Sequence, residues 1–501
     1  MKCVLNTGVA LVALTFAVPA LAQSNTSIID QSGSGQTLSI DQTAANNSTS
    51  DVEQGGSDNT TSVTQGGTLD NSLVTQTGTN GSITVEQIGL DLSAATASPT
   101  NDSSVTQSGD TNTVTSFQIG DENSSVMTQS GNTNTTALTQ SGIGNTSAVT
   151  QSGNNNGNTV LQDGDDNGSA VVQSGSNNVI DVFQIFAGNT STVTQSGNGH
   201  DADVDQTGSD NTSSVTQSTS GYAAVISQSG DGNTSTAIQL DSAAIGNASS
   251  TVTTTQTGDD NTAFVNQRSI NSTSTIDQGG TLNNASVLQG FFSRRQSSTI
   301  DQSGDGNSAT VQQGVDGLGP ADDDNTSTID QSGDGNTGTV RQFLRDGVSS
   351  LTQSGAFNTA TTEQGLGSAV SGFGPYNTTV IQSGNANTSD VFQRSIDSTV
   401  FVEQIGDGNS STITQQFYNA GSNADTTNSA SVTQNGDLGI SEITQSGDNH
   451  IATLTQGGML SESYITQSGV SQTATVTQSG TGQYSAITQD GTGNTATVTQ
   501  N

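Results

Sequence analysis

Apolar side chains recur along this chain in short alternating segments, each of which ends in a glutamine. Val, Ile, Leu or Met lies two positions before the glutamine in 36 of 40 segments, and Thr, Ser or Asp commonly fills the positions between. A period of two is typical of a β-strand that buries one of its faces. The pattern therefore predicts an all-β fold built from short strands.

These glutamines are mostly spaced by eleven residues, without a break from Gln107 to Gln239 and in shorter runs elsewhere. Gly usually lies two positions after the glutamine and Asn often lies five after it, so one unit reads Q-S-G-x-x-N-x-(A/S)-x-V-x-Q. The S-G-D-G segment favours a tight turn, because Gly supplies positive φ and Asp caps its own backbone. Each unit is predicted to be one strand and one turn.

Neighbouring units differ from each other more than units two apart do. This favours a coil of two strands and 22 residues. TQSG recurs at Gln107, Gln129, Gln151 and Gln195, whereas FQIG and FQIF stand at Gln118 and Gln184. We expect a flattened two-sheet parallel β-solenoid, in which each strand pairs with the equivalent strand one coil away. Forty strands make about twenty coils, with a rise of ~4.8 Å per coil.

Residues 1–22 are predicted to be a signal peptide. Lys2 precedes an apolar run, and Ala20-Leu21-Ala22 is an A-x-A cleavage site, so the mature chain is expected to begin at Gln23. Residues 23–501 are assigned to the solenoid. Longer steps between glutamines predict insertion loops near 90–100, 241–250, 290–297, 315–326, 366–377 and 416–428.

Composition alone is typical of a disordered chain, because apolar residues make up 28% of it and Trp is absent. The ordered alternation argues against disorder: Asp201, Asp203 and Asp205 all fall on predicted outward positions. The formal net charge is −38, and a polyanion of this kind is not expected to bind nucleic acid or anionic lipid. No stretch reaches the length of a membrane span, and Cys3, the only cysteine, lies in the predicted signal peptide.

The residues at the inward positions of the strands indicate how a chain with few apolar side chains can stabilise this fold. Across a core ~10 Å thick, Val and Ile are expected to stack on their equivalents. Gln and Asn are expected to form amide ladders in which each side chain donates to the next. The predicted inward residues are Gln107, Gln129, Gln151, Gln173, Gln195, Gln302, Gln313, Asn112, Asn134, Asn156, Asn307, Val149, Val171, Val193, Val215, Ile300 and Val311. The predicted turn glycines are Gly304, Gly306, Gly333 and Gly335.

These motifs resemble the curlin repeat of curli fibre subunits, the bacterial functional amyloids. That repeat, Ser-x5-Gln-x-Gly-x-Gly-Asn-x-Ala-x3-Gln, is matched from its first Gln onward at Gln302–Gln313 and Gln489–Gln500. The segment Gln140–Gln151 matches with Ser147 in place of Ala, and the Ser of the repeat is replaced by Gln296 before Gln302. The resemblance covers essentially the whole mature chain.

The resemblance implies a secreted subunit that assembles with itself into extracellular amyloid-like fibres at a bacterial surface, for biofilm matrix and adhesion. It also implies a nucleator subunit and an outer-membrane secretion pore as partners. The first strand reaches Gln31 and the last runs from Asn494 to Gln500, which leaves little that could cap the terminal coils. Since uncapped edge strands template further pairing, we expect copies to add head to tail.

No catalytic residue, cofactor site or metal site is predicted. His200 and His450, the only histidines, both stand five residues after a glutamine, as Tyr222 does. All three are interpreted as substituted Asn positions of the ladder. With no Cys or Lys in the mature chain, no nucleophile–base constellation is recognisable.

Two alternative functions remain open. Outward Thr-x-Thr rows, as at Thr495, Thr497 and Thr499, are used by ice-binding solenoids, which favours a monomeric ice- or surface-binding protein. Stacked turn acids favour a calcium-stabilised adhesin repeat region, although the period of eleven differs from the nine of calcium-binding repeats. The candidate turn acids are Asp110, Asp231, Asp305 and Asp334.

Overall fold

The computed structural model describes residues 24–89, 100–240, 249–290, 294–314, 324–343, 346–365, 375–416 and 427–501. The predicted signal peptide 1–22, with its cleavage site and Cys3, lies outside the described residues. Most of each predicted insertion loop does so too, except for the loop near 290–297, of which only residues 291–293 are not described. The described chain forms two compact units, unit 1 up to Thr236 and unit 2 from Ala237 onward.

Unit 1 contains eighteen complete β-strands, two to each coil. The odd-numbered strands form one parallel sheet: β1 (Thr26–Gln31), β3 (Thr49–Gln54), β5 (Asn71–Gln76), β7 (Asp102–Gln107), β9 (Ser124–Asn132), β11 (Thr146–Asn154), β13 (Gly168–Ser176), β15 (Thr190–Asn198) and β17 (Thr212–Ser220). The even-numbered strands form a second: β2 (Thr37–Asp41), β4 (Thr60–Gln65), β6 (Ser82–Ile88), β8 (Thr113–Asp121), β10 (Thr135–Ile143), β12 (Gly157–Asp163), β14 (Val179–Ile185), β16 (Asp201–Thr207) and β18 (Ala223–Ser229). The boundary between the units falls within β19 (Thr234–Leu240).

Unit 2 repeats the same arrangement. Its odd-numbered strands are β21 (Thr262–Gln267), β23 (Asn284–Gln289), β25 (Ser308–Gln313), β27 (Thr337–Gln342), β29 (Thr359–Gln364), β31 (Thr388–Gln393), β33 (Ser410–Gln416), β35 (Ile440–Asp448), β37 (Glu462–Val470) and β39 (Tyr484–Thr492). Its even-numbered strands are β20 (Thr251–Thr257), β22 (Thr273–Gly279), β24 (Ser297–Ser303), β26 (Thr326–Ser332), β28 (Gly347–Ser354), β30 (Tyr376–Ser383), β32 (Ser398–Ile405), β34 (Ser429–Gln434), β36 (Ile451–Gln456), β38 (Thr473–Gln478) and β40 (Thr495–Gln500).

Equivalent strands pair in parallel and in register within each unit. Gln151 of β11 lies opposite Gln129 of β9 on one side and Gln173 of β13 on the other. The intervening strand β12 lies in the second sheet, between β10 and β14. The chain therefore returns to the same sheet every 22 residues. This confirms the predicted two-sheet parallel β-solenoid, and the described residues contain no helix.

The register survives the longer steps between glutamines. In unit 2, Gln313 of β25 lies opposite Gln342 of β27, although 29 residues separate them. The pattern of inward residues resumes after the insertion, and a shift by one residue would expose the whole apolar set of a strand. The extra residues therefore leave the pairing of the strands intact.

The core of each unit lies between its two sheets. In unit 1, Val193, Val204 and Val215 are fully buried, whereas Asp201 and Asp203 are exposed on alternate positions of β16. Burial of each such Val contributes roughly 1.5–3 kcal/mol. Regular stacking repeats this contribution in every coil, which offsets the low apolar content of the chain.

The turns stack as closely as the strands do. Gly304 and Gly333 have φ of 99° and 98°, and Gly306 and Gly335 have φ of 66° and 65°. A Cβ on Gly304 would lie 2.4 Å from the carbonyl oxygen of Gly333 in the next coil. The first glycine of each pair is required both by its backbone conformation and by this close approach.

Candidate functional site: the amide ladders

One continuous row of buried glutamines follows the odd sheet of unit 1. The Nε2 of each donates to the Oε1 of the glutamine in the next coil, and together these contacts form the glutamine ladder. The successive Nε2–Oε1 distances are 3.1, 2.7, 2.6 and 3.1 Å for Gln107, Gln129, Gln151, Gln173 and Gln195. All five side chains are buried. The ladder therefore satisfies amides that would be costly to bury alone.

A second hydrogen bond fixes the direction of each amide. Gln151 Nε2 also donates to the carbonyl oxygen of Thr135, at 3.2 Å, on the facing sheet. The same contact recurs at Gln173, where Nε2 donates to Gly157 O at 2.9 Å. A flipped amide would place its oxygen against that carbonyl oxygen. The glutamine–glutamine bonds of the described chain accordingly share one direction, with the donor in the coil nearer the N-terminus.

Unit 2 has a glutamine ladder in each sheet, and both continue across its insertions. Gln302 donates to Gln331 at 2.8 Å and Gln313 donates to Gln342 at 2.8 Å, in each case across 29 residues. Ile300 and Val311, two positions before Gln302 and Gln313, are fully buried. In unit 1, Val149 and Val171 are likewise buried two positions before their glutamines.

Asparagines form a second ladder at the turns, which we term the asparagine ladder. Asn134 Nδ2 donates to Ser130 O of its own turn and to Gly153 O of the next coil, both at 2.9 Å. Its backbone N–H donates to Oδ1 of Asn112, and Asn156 N–H donates in turn to Asn134 Oδ1. The side chain thus closes its own turn and joins it to the next turn, and the backbone N–H joins it to the preceding one.

Asn307 occupies the same position in unit 2. Its backbone N–H donates to Asn283 Oδ1 at 2.9 Å, and its Nδ2 donates to Gly333 O at 2.7 Å. The segment S-T-I-D-Q-S-G-D-G-N occurs twice, at 298–307 and 327–336, and the Nδ2 contact joins these two copies in neighbouring coils. The N–H contact joins the first copy to the preceding coil.

Asp70 is a residue of the asparagine ladder that was not predicted from the sequence. It is buried, and its carboxylate accepts hydrogen bonds from Gly67 N and from the backbone N and Nδ2 of Asn101. Burial raises the pKa of Asp70 to about 6, although these donors oppose the shift. Its position five residues after Gln65, where other units carry Asn, was the signal that could have found it.

The terminal coils pair on one side only within the described chain. β39 pairs with β37 and β40 pairs with β38. Gln500 Nε2 donates to Tyr484 O at 3.0 Å, and Gln489 Nε2 donates to Thr473 O at 3.0 Å. At the other end, the glutamine ladder begins with Gln31, which donates to Gln54 at 2.7 Å. The last coil of unit 2 therefore presents amide donors, and the first coil of unit 1 presents a carbonyl acceptor.

The turn acids lie against backbone donors. Asp231 Oδ1 accepts from Ser209 N, Asp305 Oδ1 from Thr281 N, and Asp334 Oδ1 from Asp305 N, at 2.9–3.1 Å. Among the described residues, no three His, Cys, Asp or Glu side chains form a group suited to a metal ion. In the same part of the chain, no helix is long and apolar enough to cross a membrane.

Comparison with known proteins connects this geometry to one repeat family. A search of curated proteins gave no match. The family model described as the curlin associated repeat matches residues 56–89, 101–131, 175–208, 187–218 and 472–501. The matched segments lie in both units and include parts of both ladders. The chain is therefore a protein that carries curlin-associated repeats.

Proposed function

We propose that the mature chain is a secreted structural subunit that polymerises head to tail into curli-like fibres at a bacterial surface. The curlin-associated repeats and the parallel β-solenoid support this role. The observation that carries the proposal is the common direction of the glutamine ladder, because it makes the two terminal coils complementary. Amyloid-type assembly uses the same in-register stacking of strands and amides.

A second copy can continue the ladder without new chemistry. Gln489 Nε2 of β39 has two hydrogens, one of which binds Thr473 O. If its other hydrogen meets Gln31 Oε1 of β1 in an incoming copy, the contact reproduces the 2.9 Å bond between Gln467 and Gln489 in the same odd-numbered sheet. The opposite orientation would bring two donors or two acceptors together. Growth is therefore polar, and the contact is heterologous and open-ended.

The fibre is proposed to serve the extracellular matrix in biofilm formation and adhesion. Export would begin with the signal peptide at residues 1–22, and a nucleator subunit and an outer-membrane pore would act with the chain. The role is structural rather than catalytic, since the buried glutamines and asparagines already bind one another in the ladders. Such a fibre needs only repeated copies of this chain to grow.

A blocked terminal coil tests the proposal. A folded, highly charged domain fused after Asn501 should cover β39 and β40, and the fused protein should terminate growing fibres when added as a minor component. Thioflavin fluorescence and electron microscopy report the rate and the fibre length. Deletion of residues 479–501 is the matched control, because it exposes the equivalent strands β37 and β38 and should preserve assembly. Fused protein that alone forms fibres as fast as the unfused chain would refute end-to-end addition.

Surface binding by a monomer is a second candidate, favoured by one array of threonines. Thr473, Thr475 and Thr477 of β38 lie directly opposite Thr495, Thr497 and Thr499 of β40. All six occupy outward positions on one sheet. Inhibition of ice recrystallisation by chain that remains monomeric would favour this function over fibre formation.

A further inference from the structure

Both histidines copy the hydrogen bonds of the asparagine ladder. His200 N–H donates to Asn178 Oδ1 at 3.0 Å, as an asparagine in this position would. The imidazole Nε2 lies 3.0 Å from Ser196 O, and Nδ1 lies 3.3 Å from the backbone N of Tyr222. In this arrangement Nε2 replaces the donating Nδ2 of asparagine, and Nδ1 replaces its accepting Oδ1.

These contacts specify one protonation state. A carbonyl oxygen can only accept, so Nε2 carries a hydrogen. The Tyr222 N–H can only donate, so Nδ1 carries none. A proton added to Nδ1 would face that N–H and remove the bond between the two turns. Asparagine has no corresponding titration.

The same arrangement occurs independently in unit 2. His450 N–H donates to Asn428 Oδ1 at 2.9 Å, its Nε2 lies 3.3 Å from Ser446 O, and its Nδ1 lies 3.4 Å from Gln472 N. Both imidazoles are buried. Two copies of one geometry in separate units indicate a property of the ladder position.

We propose that His200 and His450 are acid-sensitive links of the asparagine ladder, which open the following turn when the imidazole is protonated. The proposal does not depend on fibre formation, since it concerns the stability of coils within each unit. Acidification would loosen the turn that ends at Tyr222 in unit 1 and the turn that ends at Gln472 in unit 2.

The surroundings of both rings favour the neutral form. Burial lowers the pKa of His200, and the contact to Ser196 opposes the shift. Tyr222 stacks on the ring at a centroid distance of 5.5 Å, and Asp201 lies on the exposed face of β16. Burial also lowers the pKa of His450, against the opposing effects of Ser446 and of Asp448 in its own turn.

The sign of the pH dependence follows from this direction. Below the ordinary histidine pKa, near 6.5, the unfolded chain binds protons that the folded histidines do not. The histidine contribution to stability therefore falls as the pH falls toward the lower pKa of the folded state. Buried or stacked carboxylates act in the opposite sense, because a raised pKa favours folding at low pH. Asp70, Asp203, Asp205, Asp277 and Asp330 have such raised pKa values.

Hydrogen exchange at single turns separates the effect of the histidines from that of the carboxylates. Protection factors are measured by mass spectrometry on the full mature chain at pH 7.5 and pH 5, for peptides covering residues 218–226 and 468–476. We expect protection of these turns to fall about tenfold on acidification, because the protonated imidazole no longer accepts the hydrogen bond from the next turn. The turn that contains Asn156 serves as the internal control and should change little.

Substitution by the ordinary ladder residue is the matched variant. His200→Asn and His450→Asn should each abolish the acid-induced loss at their own turn, and Asn156→His should create one at Asn178. An unchanged loss in His200→Asn and His450→Asn, or an equal loss at the control turn, would overturn the proposal. If the variants do not fold, ¹⁵N spectra of the native histidines decide, since a neutral Nδ1–H tautomer would contradict the assigned contacts.

Discussion

At the residue scale, the ladder requires a side chain that both donates and accepts. Gln151 donates through Nε2 to Thr135 O and Gln173, while its Oε1 accepts from Gln129 and from Thr136 Oγ1. Glutamate at this position would offer no N–H and would bury a charge. In the asparagine ladder, Asp70, His200 and His450 replace the amide side chain. Each of them makes its ladder position titratable, which an amide does not.

Replacing one inward valine should therefore be far more damaging than replacing its outward neighbour. Val193 is fully buried between the sheets, so Val193→Asp should lower the free energy of unfolding by more than ~3 kcal/mol. Thr192→Asp is the control, because Thr192 is exposed and its strand neighbours Ala170 and Ser214 carry no charge. It should change stability by less than about 0.5 kcal/mol. Urea unfolding followed by circular dichroism measures both, and equal effects would contradict the assigned facing.

At the element scale, each turn is shaped by contact with the turn of the next coil. At the turn that contains Gly304, Asp305 Oδ1 accepts a hydrogen bond from Thr281 N–H, and Asp305 N–H donates to Asp334 Oδ1. These bonds join the turns of three successive coils outside the core. The asparagine ladder adds a second connection at the inner side of the same turn. Strand and turn therefore stack as one unit.

The two glycines of one turn should differ in their tolerance of a side chain. Gly304→Ala would place Cβ 2.4 Å from Gly333 O, whereas a Cβ on Gly306 meets no atom within 4 Å. Gly306→Ala should cost roughly 1–2 kcal/mol, for a left-handed residue that is not glycine. Gly304→Ala should cost at least ~1 kcal/mol more, because the stacked turns must move apart. Thermal unfolding of the two variants compares them, and a larger loss for Gly306→Ala would show that turn stacking is not the limiting contact.

At the scale of the whole molecule, the repeat made the fold predictable from the sequence. The period of two predicted which side chains face inward. The spacing of eleven predicted the strands, and the recurrence of TQSG two units apart predicted the 22-residue coil. The direction of the amides could not be predicted, because it depends on Thr135 O and its equivalents on the facing sheet. The buried state of Asp70 was not predicted, although Asp70 stands five residues after Gln65, where other units carry Asn. The division at Thr236 has no counterpart in the glutamine spacing, which continues unbroken to Gln239.

The charge of the chain should make assembly depend on salt. With a formal net charge of −38, approaching copies repel one another, and ions at ~0.1 M screen charges more than ~10 Å apart. The lag before fibre formation should therefore shorten as NaCl is added at pH 7.5, where the histidines are neutral. Thioflavin fluorescence on the mature chain measures the lag.

A comparison of divalent salts separates screening from a specific site. The turn carboxylates, such as Asp305 and Asp334, already accept backbone hydrogen bonds, so we expect no binding geometry that favours one cation. CaCl2 and MgCl2 at the same ionic strength should then shorten the lag equally. A lag that lengthens with NaCl would contradict the electrostatic argument. An acceleration by calcium alone would instead favour calcium-stabilised repeats, because Ca²⁺ accepts irregular oxygen sites that Mg²⁺ does not.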